Sequence, residues 1–133
     1  MQKKYLVKLD DKIIGFSYLE MNDAPMGVVF GKIYFEHILS GYEFFSNYCK
    51  EHNIPTNEDD SETRSIDTQT IKSLTVIGED GTEINGIGAA VTGFGDEFEV
   101  EILGVPYPFY GEEFPHHVEA YENHCRKLSE NLS

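Results

Sequence analysis

The stretch from Asp96 to His117 constrains the fold more than any other part of the chain. Its first half alternates three apolar residues with three glutamates, namely Phe98, Val100 and Ile102 with Glu97, Glu99 and Glu101. Alternation with a period of two is typical of a strand that buries one face. The sequence therefore predicts a β-strand with one face in the core and the other lined by carboxylates.

Two prolines follow this strand and interrupt regular structure. Pro106 and Pro108 restrict the backbone on both sides of Tyr107. We therefore expect Tyr107, Phe109 and Tyr110 to form a rigid aromatic corner.

Two helices are predicted, one in the middle of the chain and one after the corner. Ser40 and Glu43 have the spacing of a capping box, which predicts a helix that begins after Ser40 and ends by Asn53. Pro115 suits the first turn of a second helix, where its missing N–H costs nothing. The apolar stripe of that helix comprises Val118, Tyr121, Cys125 and Leu128.

The other predicted strands lie mainly in hairpins. Residues 4–9 pair with residues 12–19, residues 70–77 pair with residues 82–91 across an Asp-Gly turn, and residues 26–35 form a further strand. The glycines of the arm after the Asp-Gly turn leave room for a helix or a bulky aromatic side chain to pack closely.

Residues 56–69 differ from these arms. They hold five acidic residues, one arginine and almost no apolar side chain, so we expect an exposed, mobile acidic loop.

The layer rule combines these elements into one domain, because each apolar face must meet another. We predict a single α+β domain spanning residues 1–133, with a mainly antiparallel sheet of five to six strands and two principal helices packed on it. Nine Phe and eight Tyr without Trp predict an aromatic core with tyrosine hydroxyls at its edge.

The charge balance restricts the classes of partner. A formal net charge of −14 repels nucleic acid and anionic membranes. The two cysteines form no CxxC motif, which is typical of a protein without a disulfide framework. Lys8, Asp10 and Asp11 break the first apolar run, so we expect no signal peptide and no membrane span. We therefore expect a cytoplasmic protein.

Several residue clusters suggest chemistry, and each has a simpler explanation. His117 and His124 lie about 10.5 Å apart along a helix, too far to share a metal ion, and His116 with Glu119 is a single pair. Cys49 and Cys125 fall on apolar stripes, where buried structural thiols are usual. Glu97, Glu99 and Glu101 have a spacing within reach of glycosidase carboxylates, but exposed strand carboxylates more often serve solubility.

The glycine runs around Gly86 and Gly93 lack the spacing of a phosphate loop. We therefore predict no catalytic residue, no metal, no cofactor and no enzymatic activity.

A protein-binding surface is the function that the clustering of these residues favours. Acidic residues with no basic residue among them flank the aromatic corner, and carboxylates around aromatic anchors are typical of an interface for a basic protein. The simpler alternative is an acidic surface that serves solubility alone. The predicted partner-binding residues are Asp96, Glu97, Glu99, Glu101, Tyr107, Phe109, Tyr110, Glu112 and Glu113.

The whole profile, small, single-domain, acidic and without a catalytic motif, resembles the immunity proteins of bacterial toxin systems. These include the proteins that neutralise contact-dependent growth inhibition toxins. The run ILGVPYPFYGEEFPHHVEAYE has the character of a family signature, to which we attach no activity. The resemblance implies an inhibitor that covers a basic toxin domain of the nuclease class, and no functional residue is carried over from the family.

Two alternatives from other classes remain open at this stage. One is a small enzyme or ligand-binding protein that uses the carboxylates with His116 and His117 beside the glycine-rich strand. The other is a subunit of a homo-oligomer, such as a homodimer joined through an open sheet edge.

Overall fold

The structure, a computed structural model, describes residues 2–132 and shows two antiparallel sheets with three helices. The strands are β1 (Tyr5–Leu9), β2 (Lys12–Ser17), β3 (Met21–Asp23), β4 (Val28–Lys32), β5 (Tyr34–Phe35), β6 (Thr56–Asp60), β7 (Ser65–Thr68), β8 (Leu74–Gly78), β9 (Gly88–Phe94) and β10 (Glu97–Leu103). The helices are α1 (Gly41–Glu51), α2 (Phe109–Glu113) and α3 (Pro115–Leu132), and a 3-10 turn spans Ala24–Met26.

The predicted α+β class is confirmed, with two principal helices and antiparallel strands that are divided between two sheets. The smaller sheet has the order β5-β2-β1-β8 and the larger has the order β3-β4-β10-β9-β7-β6. The predicted opening hairpin corresponds to β1 and β2. The predicted acidic strand corresponds to β10, which pairs on both sides within the larger sheet.

Both sheets contribute their apolar faces to one core cluster. α1 and α2 add aromatic side chains to it, including Phe45 and Tyr110. Four buried tyrosines direct their hydroxyl groups to hydrogen-bond partners at its edge, namely Tyr5, Tyr42, Tyr48 and Tyr110. The predicted aromatic core with bonded tyrosine hydroxyls is confirmed.

The Phe98 ring lies at the centre of the packing between β9, β10 and α1. A Cβ atom at Gly93 would overlap this ring, and a Cβ atom at Gly41 would lie 2.9 Å from it. The ring also packs against Phe35 and Phe45, with centroid distances of 5.6 Å and 6.1 Å. The expectation that glycine in this arm makes room for a bulky aromatic residue is confirmed at Gly93.

The capping prediction for α1 is also confirmed. The backbone N–H of Glu43 donates to the Ser40 hydroxyl at 3.2 Å, and α1 ends at Glu51 with His52 as its C-cap. The core-facing side of α1 carries Phe45 and Cys49. The prediction of a buried thiol is therefore correct for Cys49.

Residues 56–69 are exposed along most of their length, but the prediction of a loop is wrong. The segment forms the hairpin β6–β7 at the edge of the larger sheet, where β7 pairs with β9. Ile66 and Thr68 turn inward and are buried. Asp59 faces the same side as Ile66 and accepts hydrogen bonds from the hydroxyls of Tyr42 and Ser46. Pairing and these side-chain contacts order a segment whose composition alone predicts no structure.

The hairpin predicted for residues 70–77 and 82–91 forms only at its turn. Gly78 and Ile84 donate backbone hydrogen bonds to Thr82 and Val76, and a single bridge joins Ile77 to Glu83. Beyond this point the arms separate, because β8 pairs with β1 while β9 pairs with β10 and β7. The turn prediction is correct, and the prediction of continued pairing is wrong.

The terminal helix α3 begins at Pro115, as predicted, but only its first turn packs on the domain. His117 is buried, with Nε2 2.7 Å from the Leu19 carbonyl oxygen and Nδ1 3.1 Å from the Asn22 side-chain nitrogen. Every residue from 119 to 130 is exposed. The prediction of a buried thiol is therefore wrong for Cys125.

We expect Asp59→Asn to lower the free energy of unfolding by about 1 kcal/mol, since it weakens hydrogen bonds to a charged acceptor near the surface. Burial opposes ionisation of Asp59, but the Tyr42 and Ser46 hydroxyls and the Lys50 charge hold its pKa below the ordinary value of 3.8. The stabilisation is therefore present above pH 3.8 and is lost as the pH falls through the lowered pKa. Urea denaturation measures the effect, and an unchanged midpoint relative to Glu62→Gln would contradict it.

We expect a second loss of stability in mild acid that originates at His117. Burial is the main cause that lowers the pKa of His117 from its ordinary value of 6.5, with a smaller contribution from His116. The stabilisation is therefore complete above pH 6.5 and decreases as the pH falls below it. His117→Gln keeps a donor for Leu19 but does not titrate, so its unfolding free energy should vary less between pH 8 and pH 5 than that of the parent. A curve parallel to that of His124→Gln, which alters an exposed histidine, would refute this origin.

Candidate functional site

The outer face of the six-stranded sheet carries the three glutamates of β10. Directly opposed residues of neighbouring strands share a face, and in one such row Glu99 lies between Lys32 of β4 and Thr92 of β9. The same row continues through Asp67 of β7 to Glu58 of β6. We call this surface the acidic face and define it by Glu58, Asp67, Glu97, Glu99 and Glu101.

A groove of about 720 Å³ crosses the acidic face. Its walls include carboxylates from β6, β7 and β10, together with the side chains of Thr92 and Phe94. Lys32 is the one basic residue that lines it among the described residues. The face remains open to solvent, since the exposed fractions are 74% for the Glu97 side chain and 64% for Phe94.

The charges of the acidic face are only partly compensated. Lys32 Nζ lies 3.2 Å from a Glu97 carboxylate oxygen and 5.3 Å from the centre of the Tyr34 ring. Burial, and then the nearby charges of Asp67 and Glu99, raise the pKa of Glu101 above its ordinary value of 4.5. The inner part of the face therefore holds carboxylates that repel one another at neutral pH.

Phe94 is an aromatic residue of the acidic face that sequence reasoning missed. It lies opposite Glu97 on one side and Ser65 on the other. Its sequence signal is weak, because it sits in the glycine-rich run GFGD and shares the face with Glu97 only through the strand register. Asp96 is exposed in the turn between these two residues, beside the face.

The aromatic corner lies at the other end of β10. β10 separates Asp96 and Glu97 from the corner by about 20 Å at the usual strand rise. Tyr107 is half exposed and donates to the Ala24 carbonyl at 3.0 Å, and Phe109 is half-buried against the core. Tyr110 is fully buried and donates to the Val28 carbonyl at 2.9 Å. The prediction that Tyr110 anchors a partner is corrected, since it has no surface to offer.

Glu112 and Glu113 belong to a different cavity of about 570 Å³, near the start of β1. The Glu113 carboxylate accepts hydrogen bonds from Lys3 Nζ and the Tyr5 hydroxyl, each at 2.6 Å. Lys3 also lies 2.9 Å from Asp80. Glu113 is therefore occupied by internal partners, while Glu112 is exposed. The predicted binding residues thus fall into two separate surfaces rather than one.

The histidines offer less chemistry than their spacing suggests. Both ring nitrogens of His117 have partners within the protein, which removes it from the predicted ligand-binding alternative. His116 is exposed and its ring lies 4.2 Å from that of His117. Within residues 2–132 no three His, Cys, Asp or Glu side chains are arranged to hold a metal ion.

Comparison of the chain with models of protein families, with curated proteins and with solved structures gives no match. None of the helices within residues 2–132 is long and apolar enough to cross a membrane. The candidate site therefore depends on geometry and charge alone.

We expect Glu101→Gln to raise the free energy of unfolding at pH 7 by less than about 1 kcal/mol, because solvent screens charges on an open face. Folding raises the pKa of Glu101 above 4.5. The stabilisation that the protonated Glu101 side chain contributes is therefore complete below pH 4.5, and it is lost as the pH rises through the pKa of the folded protein. Thermal or urea denaturation at pH 4 and pH 7 measures the change. A stability gain equal to that of Glu79→Gln, an exposed substitution in a turn of the smaller sheet, would contradict a role for local repulsion.

Proposed function

We propose that this protein is a cytoplasmic inhibitor that binds a basic protein through its acidic face and performs no chemistry. The observation that carries the proposal is the set of carboxylates from β6, β7 and β10 on one open face of the sheet, where Lys32 is the one basic residue among those described that lines the groove. The resemblance to immunity proteins adds the class of partner, which is a bacterial toxin domain of the nuclease type.

Electrostatics supports binding by this face. The raised pKa of Glu101 reflects burial and repulsion from Asp67 and Glu99, and a cationic side chain placed in the groove would relieve that repulsion. A concentrated negative field also accelerates the approach of a basic protein, by roughly 10- to 1000-fold at low salt. Nucleases carry basic surfaces because they bind a polyanion, so such a face matches the site that an inhibitor must cover.

Phe94 supplies the apolar element that such an interface needs. Binding energy concentrates in a few desolvated anchors, and aromatic residues are prominent among them. Phe94 stands exposed beside Glu97, so a partner docked on the acidic face would bury it. Tyr107, Phe109 and Glu112 remain candidates for a peripheral contact at the far end of β10.

The test measures the association rate with a basic toxin domain of the nuclease type, across a salt series. We expect the rate to fall as salt rises, because screening shortens the range of the acidic field. Replacing Glu97, Glu99 and Glu101 with lysine should lower the rate at low salt by at least about tenfold. Phe94→Ala should instead raise the dissociation rate, since it removes a contact formed only after docking.

A matched control carries the same change of net charge elsewhere. Glu36, Glu51 and Glu79 are exposed and lie outside the six-stranded sheet, so their replacement with lysine should alter the rate by no more than about threefold. If the rate does not depend on salt, or if both triple variants behave alike, the acidic face is not the binding surface.

A second candidate function is the binding of a small cationic molecule in the cavity near β1. Its walls combine Glu112 with the aromatic rings of Tyr18 and His116, a set that suits an amine through a carboxylate and ring faces. Lys3 also lines this cavity, but its charge is paired with Glu113 and Asp80. Calorimetric titration with spermidine tests it, with Glu112→Gln as the variant that should weaken binding. Equal heats for the parent and the variant would exclude this cavity.

A further inference from the structure

The first turn of α3 joins this helix to the rest of the domain. Among the residues of α3 whose side chains the structure describes, only His117 and Val118 are not exposed. Val118 packs against the core, and His117 is 3% exposed. The docking of α3 therefore depends on how these two side chains are accommodated.

The ring of His117 connects α3 to two other segments. Nε2 lies 2.7 Å from the carbonyl oxygen of Leu19, in the link between β2 and β3, and Nδ1 lies 3.1 Å from the side-chain nitrogen of Asn22 in β3. A carbonyl oxygen only accepts hydrogen bonds and an amide nitrogen only donates them. The ring is therefore neutral, with its single proton on Nε2 and a lone pair on Nδ1 that accepts from Asn22.

A second proton on the ring has no acceptor in this arrangement. It would bind to Nδ1 and point at the N–H group that Asn22 donates, so two donors would replace one hydrogen bond. The added positive charge would also be buried, and burial of an unpaired charge is costly. In agreement with this geometry, burial is the main cause that lowers the pKa of His117.

The titratable groups around His117 compensate such a charge only weakly. Glu20, in the link before β3, favours the protonated ring, but its carboxylate oxygens already accept a backbone N–H of β4 at 3.1 Å and 3.0 Å. On α3 itself, the ring of His116 lies 4.2 Å away and disfavours a further positive charge. Tyr110 of α2 stays neutral because burial raises its pKa, and Asp23 of β3 is exposed.

The link that carries the acceptor of His117 is itself held in an unfavourable conformation. Leu19 is fully buried and has a φ of +45°, in the left-handed region that costs free energy for a residue with a side chain. Its backbone N–H donates to the Ser17 hydroxyl at 3.1 Å, and its carbonyl accepts from His117. Loss of the His117 bond would therefore loosen both the helix and the link.

We propose that His117 is a pH-sensitive lock, which holds α3 on the domain at neutral pH and releases it in mild acid. Released His117 takes up a proton near its ordinary pKa of 6.5, whereas the docked ring resists protonation. Docking is therefore strongest above pH 6.5 and weakens below it, by up to about tenfold for each pH unit. The proposal does not depend on the partner inferred for the acidic face.

A nitroxide label on Cys125 measures the release. Cys125 is exposed on α3 whereas Cys49 is buried, so a thiol-specific label under native conditions attaches to the helix. Electron paramagnetic resonance should show a label that becomes more mobile between pH 8 and pH 5, with a correlation time shortened by at least about twofold. A mobility that stays constant over this range would overturn the proposal, because the Asn22 amide would then turn over and accept the added proton.

Substitutions on the two sides of the Nδ1 contact have different expected effects. His117→Gln keeps a donor for Leu19 but does not titrate, so the mobility of its label should not depend on pH. Asn22→Asp places a carboxylate opposite Nδ1, which raises the pKa of the docked ring. Docking in this variant should therefore be stronger at pH 5 than at pH 8, which reverses the order in the parent. A transition retained in His117→Gln, or an Asn22→Asp variant that opens in acid like the parent, would refute the lock.

Matched controls repeat these changes away from the contact. Asn57→Asp makes the same substitution at an exposed position of β6, and His124→Gln removes an exposed histidine two turns along α3. Both variants should keep the transition of the parent to within about 0.3 pH units, since solvent screens exposed charges. If Asn57→Asp shifts the transition as far as Asn22→Asp does, net charge rather than the Nδ1 contact controls α3.

Amide hydrogen exchange with added urea separates release of α3 from unfolding of the domain. The Val118 N–H donates to the Phe114 carbonyl at 3.3 Å at the start of α3. Release of the helix exposes little surface, so exchange of this group at pH 5 should depend weakly on urea. The amides of β10, which pairs on both sides, should show the steeper urea dependence of global unfolding. An equal dependence in α3 and β10 would show that acid unfolds the whole domain, which contradicts a local lock.

Discussion

The packing of the Phe98 ring is the contact on which the rest of the structure depends. The ring occupies the space that side chains at Gly93 and Gly41 would fill, so β9 and the start of α1 can approach β10 only because both positions are glycine. Fixing Phe98 inward fixes the opposite face as well, because alternate residues of a strand point to opposite sides. The carboxylates of β10 therefore face solvent as a consequence of how the core is packed.

Local features of the sequence predicted those elements whose determinants are close in the chain. Ser40 and Glu43 define the start of α1, Pro115 the start of α3, and the alternation around Phe98 the orientation of β10. The prediction failed where distant residues decide the outcome. Asp59 orders β6 by meeting Tyr42 and Ser46 of α1, and β9 leaves β8 because β10 and β7 offer longer ladders.

The candidate site shows the same division. Glu97, Glu99 and Glu101 were identified from period two alone, while Asp67, Glu58 and Phe94 joined them only through strand register. The exposure of Tyr110 was predicted wrongly because the prolines before it interrupt the regular alternation of apolar and polar residues. Without that alternation the sequence does not indicate which side chains are buried. The short helix α2 carries it into the core, where its hydroxyl meets the Val28 carbonyl.

The acidic edge strand β6 has a further consequence for how copies of this protein can meet. An exposed sheet edge is a template for another strand, yet β6 carries Glu58 and Asp60 on the outer face of this edge, while Asp59 turns towards α1. A second copy that tried to extend the sheet would align its own carboxylates against them. Charge repulsion therefore opposes the pairing of a further strand with β6. A second copy of the chain would have to bind through a different element of the fold.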